Sequence, residues 1–164
     1  MSKKFNILFV CTGNTCRSPL AKGILEKMLK ESGVDFIEVE SAGMGAFEGN
    51  PASSYAVETT LARDIDLSFH RSRRLNKEIL RKADLVLAMS NEHLQEIKKL
   101  DEKSFEKAHL LKSFPRKIEN KNFSIADPMG KGLDEYNLCF IQMEKEIKRI
   151  FPKLIELANK KTKK

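Results

Sequence analysis

Short runs of apolar residues alternate along the chain with longer segments in which apolar and polar positions are mixed. The first run, residues 5–10, is rich in residues that favour β-structure and is followed by a glycine-containing loop. Strands that alternate with helices favour right-handed β-α-β units, and therefore an α/β fold with a parallel sheet. The pattern predicts four strands, at residues 5–10, 36–39, 85–88 and 109–111.

The segments between these strands carry apolar residues at helical spacing. The first such pattern stops near Gly33. Ser90 or Asn91 is suited to cap the helix that continues through Leu100. Pro152 lies inside the last and longest segment, where it should kink or break the helix. The predicted helices cover residues 20–29, 52–63, 76–82, 91–100 and 134–159, the last with Leu138, Ile141, Ile147, Ile150, Leu154 and Leu157 on or near one stripe.

The size of the chain fits one domain with a single core, over residues 1–164. No apolar run reaches the roughly 18 residues of a membrane-spanning helix, so we expect no membrane partner. The chain has three cysteines, an odd number, and Cys11 and Cys16 are only five positions apart. This usage argues against a secreted disulfide framework and favours a reducing cytoplasm.

The net charge of +7 raises the question of a nucleic-acid partner. Part of this charge is local, in a basic tail at about residues 160–164 that we expect to be frayed and solvated. No aromatic-rich strand motif or zinc spacing accompanies the charge, and an anionic substrate explains it equally well. We therefore expect a monomer that binds no nucleic acid.

The loop after the first predicted strand connects Cys11 to Arg17 through five intervening residues. Backbone N–H groups of such a loop and the start of the following helix can together bind an anion. Arg17 can hold two phosphate oxygens with its planar guanidinium, and Gly13 permits a backbone angle that side chains resist. In this positive field the pKa of Cys11 should fall below about 8.5, which would leave a nucleophilic thiolate.

Other interpretations of the same residues are weaker. A cysteine at the end of a strand is most often a small buried hydrophobe. A zinc site needs further ligands, and the three histidines form no ligand-spaced pair. A nucleotide-binding loop would need Gly-Lys-Ser or Gly-Lys-Thr, which does not follow the strand. The position of the motif between an apolar strand and a Ser-Pro helix start therefore favours catalysis.

From Val10 to Pro19 the sequence closely resembles the signature V-C-x-G-N-x-C-R-S-P of the low-molecular-weight protein tyrosine phosphatase family. The resemblance extends over nearly the whole chain, with further matches at residues 40–43, 70–73, 83–89 and 127–128. It implies a three-layer fold in which a four-stranded parallel sheet is flanked by helices. It also implies a reaction through a phosphocysteine intermediate that needs no metal or other cofactor, on phosphorylated protein substrates.

The resemblance assigns roles to matching residues. Cys11 would be the nucleophile, Arg17 the phosphate clamp and Asp127 the general acid and base. Ser18 would donate a hydrogen bond to the Cys11 thiolate. The phosphate-binding loop would comprise Thr12, Gly13, Asn14, Thr15, Cys16 and Ser18, and Ser41 and His70 would belong to the network that supports it.

Two of these residues have a chemical argument of their own. A leaving group needs a proton, and Asp127 followed by Pro128 is a restricted position from which a carboxyl group can supply it. Cys16 could capture an oxidised Cys11 as a reversible disulfide, or it could be a buried residue without that role.

The substrate side chain is left open by the sequence. Tyrosine-directed members of the family usually carry an aromatic residue after Asp-Pro, whereas this chain has Met129, so that Phe47 is the remaining aromatic wall. Thr15 occupies a position where many tyrosine-directed members have isoleucine, and a bacterial subgroup with similar loops acts on phosphoarginine. We expect a protein tyrosine phosphatase, with a protein arginine phosphatase as the alternative and a non-catalytic phosphate-binding module as a remote one.

Overall fold

The computed structural model describes residues 3–163 and is built around a four-stranded sheet. All neighbouring strands are parallel, and their order is β2-β1-β3-β4. This confirms the predicted α/β fold and the position of the loop directly after the first strand. The strands are β1 (Phe5–Cys11), β2 (Ile37–Gly43), β3 (Leu85–Ala88) and β4 (Ala108–Leu110).

Helices cover both faces of this sheet, as the predicted three-layer arrangement requires. Two short elements were not predicted, helix α5 and a 3-10 helix at Lys121–Phe123, because neither is long enough to show a period. The α-helices are α1 (Arg17–Glu31), α2 (Ser54–Leu61), α3 (Lys77–Lys82), α4 (Asn91–Leu100), α5 (Glu102–Phe105) and α6 (Leu133–Thr162).

Strand β1 supplies side chains to two hydrophobic clusters, one on each face of the sheet. Phe9 and Cys11 face the cluster that includes residues of α1 and α6. Leu8 and Val10 face the other cluster, with residues of α3 and α4. Successive side chains of a strand point to opposite faces. Cys11 therefore ends the strand on the side from which α1 departs.

Strand β2 extends further than predicted, to Gly43 instead of residue 39. Each of its residues pairs with β1, ending in the pair Cys11 and Gly43. The segment 40–43 consequently lies within the strand rather than after it. Its small and polar residues show no strand pattern of their own, so the pairing with β1 decides this boundary.

Helix α6 corrects two predictions. It continues through Pro152 without a break, because Pro152 and Lys148, whose carbonyl loses its intrahelical partner, are both exposed to solvent. Leu138 and Ile141, which were placed on or near the buried stripe, are instead 65% and 55% exposed. The buried stripe comprises Tyr136, Cys139, Phe140, Met143, Ile147, Ile150, Leu154 and Ala158, with Glu146 at its border.

The end of α6 is anchored to the amino ends of the strands. Nζ of Lys161 donates to Oδ2 of Asp84 at 2.7 Å and to the carbonyl oxygen of Lys4 at 2.9 Å. Lys160 and Lys161 are thus helical, contrary to the predicted frayed tail, whereas Lys164 lies outside the described residues. None of the helices in residues 3–163 has the length and apolar character needed to cross a membrane.

Candidate active site

The predicted phosphate-binding loop connects the last residue of β1, Cys11, to the first residue of α1, Arg17. It lies at the carboxyl ends of the strands, where open parallel sheets bind their ligands. Pro19 is in the first turn of α1, where the N–H that proline lacks would have no partner within the helix. The N-terminal end of this helix carries a partial positive charge that faces the loop.

Carbonyl groups of the loop are held from outside by backbone N–H groups of the segment that follows β2. Because these carbonyl oxygens are bonded to a neighbouring segment, the N–H groups of the loop can be directed at an anion, as an anion site requires. The bonds run from Met44 to Cys11, from Gly45 to Thr12 and from Ser53 to Thr15, each at 2.9 Å.

Gly43 allows β2 to approach this loop closely. A Cβ atom at Gly43 would lie 2.5 Å from the carbonyl oxygen of Thr12 and 2.9 Å from the backbone nitrogen of Asn14. Both distances are far below van der Waals contact with backbone atoms that cannot move without the loop. The shape of the loop therefore depends on the missing side chain of Gly43.

Asn14 provides the unusual backbone conformation of the loop, with a φ of 56°. The prediction that Gly13 serves this purpose is wrong, since Gly13 is not among the residues with positive φ. Asparagine tolerates the left-handed region better than most residues that carry a Cβ atom. A glycine could adopt the same angle but would lose the side chain on which the surrounding network depends.

The buried amide of Asn14 connects the loop to two neighbouring segments. Its Nδ2 donates to Oγ of Ser18 at 2.8 Å and to Oγ of Ser41 at 2.9 Å. Its Oδ1 accepts the backbone N–H of Arg73 at 3.0 Å, and its backbone carbonyl accepts Nε2–H of His70 at 2.6 Å. Ser41 and His70 thus lie where a supporting network was predicted.

Ser18 is bonded so that its own proton is available to Cys11. Because Asn14 can only donate through Nδ2, the Ser18 oxygen accepts there. Its hydroxyl proton remains for Sγ of Cys11, which lies 2.9 Å away. Ser18 and Cys11 are both buried, so solvent does not compete for this hydrogen bond.

Burial has the largest effect on the pKa of the Cys11 thiol and raises it above its ordinary value. The prediction of a depressed pKa is therefore wrong. The hydrogen bond from Ser18 is the largest opposing influence, followed by the backbone N–H of Ser18, the charge of Arg17 and the backbone N–H of Asn14. These groups stabilise the thiolate relative to an equally buried cysteine without them.

Arg17 and Asp127 face each other at the opening of the loop. Nη2 of Arg17 lies 3.4 Å from Oδ2 of Asp127, and Nη1 donates to the carbonyl oxygen of Ile125 at 3.0 Å. The Arg17 side chain is only 7% exposed, whereas that of Asp127 is 41% exposed. A buried cation and an accessible carboxyl group therefore lie side by side in the site.

The Asp127 carboxyl group is also oriented by its own loop. Its Oδ1 accepts the backbone N–H of Met129 at 3.0 Å, and the intervening Pro128 is buried. Proline restricts the backbone of the residue before it. The loop before α6 thus presents one carboxylate oxygen to Arg17 and holds the other within the turn.

His93 and Ser90 belong to the same site, although the sequence analysis did not select them. Nε2 of His93 lies 2.8 Å from Oγ1 of Thr12, and Nδ1 lies 2.9 Å from Oγ of Ser90. Burial and the charge of Arg17 lower the pKa of His93 to about 4, against an opposing effect of Asp127. The signal in the sequence was their position after β3, the strand beside β1, whose carboxyl end opens onto the same edge of the sheet.

Cys16 lies in a small hydrogen-bonded group behind the loop. Its Sγ is 3.1 Å from Oη of Tyr136 and 3.4 Å from Oγ of Ser53, and these two oxygens are 3.2 Å apart. Burial and the contact with Cys16 raise the pKa of Tyr136 to about 12. Cys11, Cys16 and Cys139 are all buried free thiols, and burial raises the pKa of Cys139 to about 12.

The predicted pocket walls differ in how close they lie to the loop. A Cβ atom at Gly13 would be 3.5 Å from Oγ1 of Thr15 and 3.6 Å from Cε of Met129, so both side chains lie close to Gly13. Phe47 follows β2 and is 77% exposed. Within residues 3–163, no group of three His, Cys, Asp or Glu side chains is arranged to hold a metal ion.

Comparisons with known proteins match nearly the whole chain. The profile of the low molecular weight phosphotyrosine protein phosphatase family matches residues 6–163. A protein-arginine-phosphatase of Geobacillus stearothermophilus is 37% identical, over 92% of this chain and 96% of the relative. A probable low molecular weight protein-tyrosine-phosphatase of Ralstonia nicotianae, EpsP, is 36% identical, over 93% of this chain and 97% of the relative.

Similarity in structure is equally extensive. The low molecular weight protein tyrosine phosphatase from T. tengcongensis superposes with a TM-score of 0.84 and is 38% identical in sequence, over 92% of this chain and 99% of that chain. The family profile spans the chain from within β1 to just beyond the end of α6. The chain therefore belongs to the low molecular weight phosphotyrosine protein phosphatase family.

Proposed function

We propose that the protein hydrolyses phosphotyrosine in proteins through a phosphocysteine intermediate. The observation that carries this proposal is the arrangement of Cys11, Arg17 and Asp127 around one anion-binding loop. A nucleophile at the base, a cation at the side and a carboxyl group at the opening are what transfer of a phosphoryl group to a thiol requires.

The first step forms a bond between Cys11 and phosphorus. The thiolate, after loss of its proton to water, attacks phosphorus while the bond to the tyrosine oxygen breaks. Asp127, in its protonated form, gives its proton to the departing phenolate. Arg17 and the N–H groups of the loop bind the three phosphoryl oxygens, whose charge they stabilise throughout the transfer.

The second step returns the enzyme to its starting state. Asp127, now a carboxylate, takes a proton from water as the water oxygen attacks phosphorus. The bond from phosphorus to sulfur breaks, and inorganic phosphate and the Cys11 thiolate are released. The Ser18 hydroxyl, 2.9 Å from Sγ, donates to the departing thiolate and makes it a better leaving group.

The exposed side chains of Phe47 and Met129 supply apolar contact for the tyrosine ring. Methionine in place of a second aromatic residue lowers the expected stacking contribution by ~0.5–1.5 kcal/mol. This weaker contact is the reason to consider a second substrate side chain.

Phosphoarginine is that second candidate, and Thr15 is the observation that favours it. The hydroxyl of Thr15 and the end of the Met129 side chain both lie close to Gly13, and the contact found for the hydroxyl, to Sγ of Cys16, is a weak one at 3.8 Å. It is therefore free to bind a guanidinium N–H group or the attacking water. Relatives of both specificities match this chain over comparable lengths.

The deciding experiment measures phosphate release from a phosphotyrosine peptide and a phosphoarginine peptide of the same flanking sequence. Cys11→Ser should abolish release from both while the protein still binds inorganic phosphate. A preference for phosphoarginine that reverses in Thr15→Ile would assign the specificity to Thr15. A preference for phosphotyrosine that persists in Thr15→Ile would assign it to the apolar wall, and release that does not depend on Cys11 would refute the proposal.

We also propose that this activity is exerted in the cytoplasm, by a monomeric single domain without a nucleic-acid partner. The three buried free thiols support a reducing compartment. Size-exclusion chromatography with light scattering tests the monomer, and a dimer at micromolar concentration would contradict it.

A further inference from the structure

His93 connects the strand next to β1 with the opening of the phosphate-binding loop. Only 4% of the residue is exposed, and both ring nitrogens have hydroxyl partners. Nδ1 contacts Oγ of Ser90 at the start of α4, and Nε2 contacts Oγ1 of Thr12. A ring held at both nitrogens has one orientation, so the position of the Thr12 hydroxyl is fixed by it.

The Thr12 oxygen is one of two acceptors beside the same guanidinium nitrogen. Nη2 of Arg17 lies 3.5 Å from Oγ1 of Thr12 and 3.4 Å from Oδ2 of Asp127. Arginine only donates hydrogen bonds, so Thr12 must offer Arg17 a lone pair. It does so in either neutral tautomer of His93, because a hydroxyl oxygen can accept from one group while it donates to, or accepts from, another.

Oγ1 of Thr12 and Oδ2 of Asp127 compete for the same guanidinium nitrogen of Arg17 from two different segments of the chain. Thr12 belongs to the loop, where a phosphoryl group has to be bound, whereas Asp127 belongs to the segment before α6 that faces the leaving group. If the Thr12 hydroxyl lost its fixed position, the ionic partner would hold the guanidinium alone. The phosphate would then have to compete with Asp127 for the cation.

We propose that His93 is a positioning residue that, through Thr12, keeps the Arg17 guanidinium on the loop side of the site for phosphate binding. This inference rests on the proposed function and adds a residue to it. Because the contact acts on the bound phosphoryl group in the ground state and the transition state alike, its loss changes KM more than kcat.

The test is a double-mutant cycle with His93→Leu and Thr12→Val. Each protein is assayed for kcat and KM on a phosphopeptide and, by calorimetry, for Kd of inorganic phosphate. We expect His93→Leu alone to raise both KM and Kd about tenfold, the loss of one hydrogen bond to a charged network, with kcat changed less than about threefold. In the Thr12→Val background the same substitution should have almost no further effect.

Two further variants separate positioning from simple stability. His93→Gln can still reach the Thr12 hydroxyl and should recover most of the phosphate affinity. His109→Gln is the matched control, because His109 on β4 is a partly buried histidine whose pKa is also lowered to about 4, but it packs against Phe114, outside the site. It should leave KM and Kd at the wild-type values.

Each outcome decides the inference. Independent, multiplicative losses from His93→Leu and Thr12→Val, an unchanged Kd, or an equal loss in His109→Gln would overturn it. If His93→Leu does not fold, Ser90→Ala replaces it in the cycle, since it releases the ring at Nδ1 only. A wild-type protein without Cys11-dependent turnover would refute the proposed function, while the Kd cycle would still test the role of His93.

Discussion

Asn14 shows at the scale of one residue how the loop combines an unusual backbone angle with side-chain function. Its φ of 56° could have been supplied by glycine, but its amide also orients Ser18 and Ser41. The sequence pattern drew attention to Gly13, since glycine is the common residue for such angles. Whether Gly13 or Asn14 adopts the positive φ is determined by hydrogen-bond partners that are distant in sequence, such as His70 and Arg73.

Ser18→Ala should make Cys11 less reactive at a given pH. The Ser18 hydroxyl is the largest influence that lowers the Cys11 pKa, so its removal raises that pKa further and leaves less thiolate. We expect alkylation of Cys11 by iodoacetamide to slow on the order of tenfold below its inflection, and the inflection to move to higher pH. Mass spectrometry of the Cys11 peptide measures this rate.

The buried Ser113, after β4, provides the control for this prediction, and Ser113→Ala should alkylate like the wild type. An inflection at the same pH in Ser18→Ala would show that the hydroxyl does not donate to Cys11.

Asp127→Asn should slow the hydrolysis of a substrate most when its leaving group needs a proton to depart. We expect kcat/KM, which reports the step that forms the phosphocysteine, to fall by roughly 10²–10⁴-fold for phenyl phosphate and far less for dinitrophenyl phosphate, whose leaving group departs as an anion. Steady-state kinetics with both substrates measures the difference. Asp134→Asn, in the first turn of α6, should behave as the wild type, and equal losses of Asp127→Asn on both substrates would remove Asp127 from the role of acid.

At the scale of elements, the unit β1-loop-α1 is a rigid support for the nucleophile and the cation. One end of the loop is fixed in a central strand and the other in the first turn of a buried helix. The carbonyl groups between them are bound by the segment after β2. A displacement of β2 should therefore impair catalysis although β2 does not itself carry a catalytic group, because the segment after β2 holds the carbonyl groups of the loop.

Gly43→Ala should disturb the loop directly, because its Cβ atom would overlap the backbone at Thr12 and Asn14. We expect kcat/KM to fall by about 10²-fold, the effect of a displacement of about 1 Å in a catalytic group. Gly45→Ala is a matched control two residues away, where nothing lies within 4 Å of the added atom. Similar kinetics for the two variants would contradict the importance of this close approach.

The elements show why some parts of the fold could be predicted and others could not. β1, α1 and β3 carry their own apolar pattern, and they were found nearly at their observed bounds. The second half of β2 has no such pattern and is a strand because it pairs with β1. Pro152 was expected to kink or break α6, and the helix is not broken because the carbonyl that Pro152 leaves unpaired is on the solvent side, where water can bind it.

At the scale of the whole molecule, the site is assembled from segments far apart in sequence. The loop, the Asp127 segment and the His93 helix meet only once β1 and β3 are paired and α6 is in place. Residues inside a known signature could therefore be selected from the sequence as candidates for the site. His93 and Ser90 were not found, because their role exists only through the contact with Thr12.

His109 should make the whole molecule sensitive to acid. Its pKa is lowered to about 4, mainly by burial, and its Nδ1 has no hydrogen-bond partner among residues 3–163. The unfolded chain binds a proton at His109 below about 6.5, whereas the folded protein does not. Stability is therefore retained above pH 6.5 and decreases as the pH falls towards 4.

His109→Phe should remove this contribution while it fills the same space beside Phe114. We expect the uptake of protons on unfolding between pH 6 and 4.5, obtained from the pH dependence of urea unfolding, to fall by about one. Measurements at pH 8 provide the reference, where protonation of His109 has no effect in either state. An unchanged slope would show that His109 is protonated equally in both states.

The contact of Lys161 with Asp84 and Lys4 determines how the protein can be immobilised with its active site accessible. It brings residue 4 and the last turn of α6 together at the amino edge of the sheet, while Cys11 opens at the opposite, carboxyl edge. A surface, bead or fluorescent carrier joined at either of these two positions is therefore held on the same side, with the catalytic opening directed away from it. Immobilised in this way, the protein should capture phosphorylated chains as freely as it does in solution.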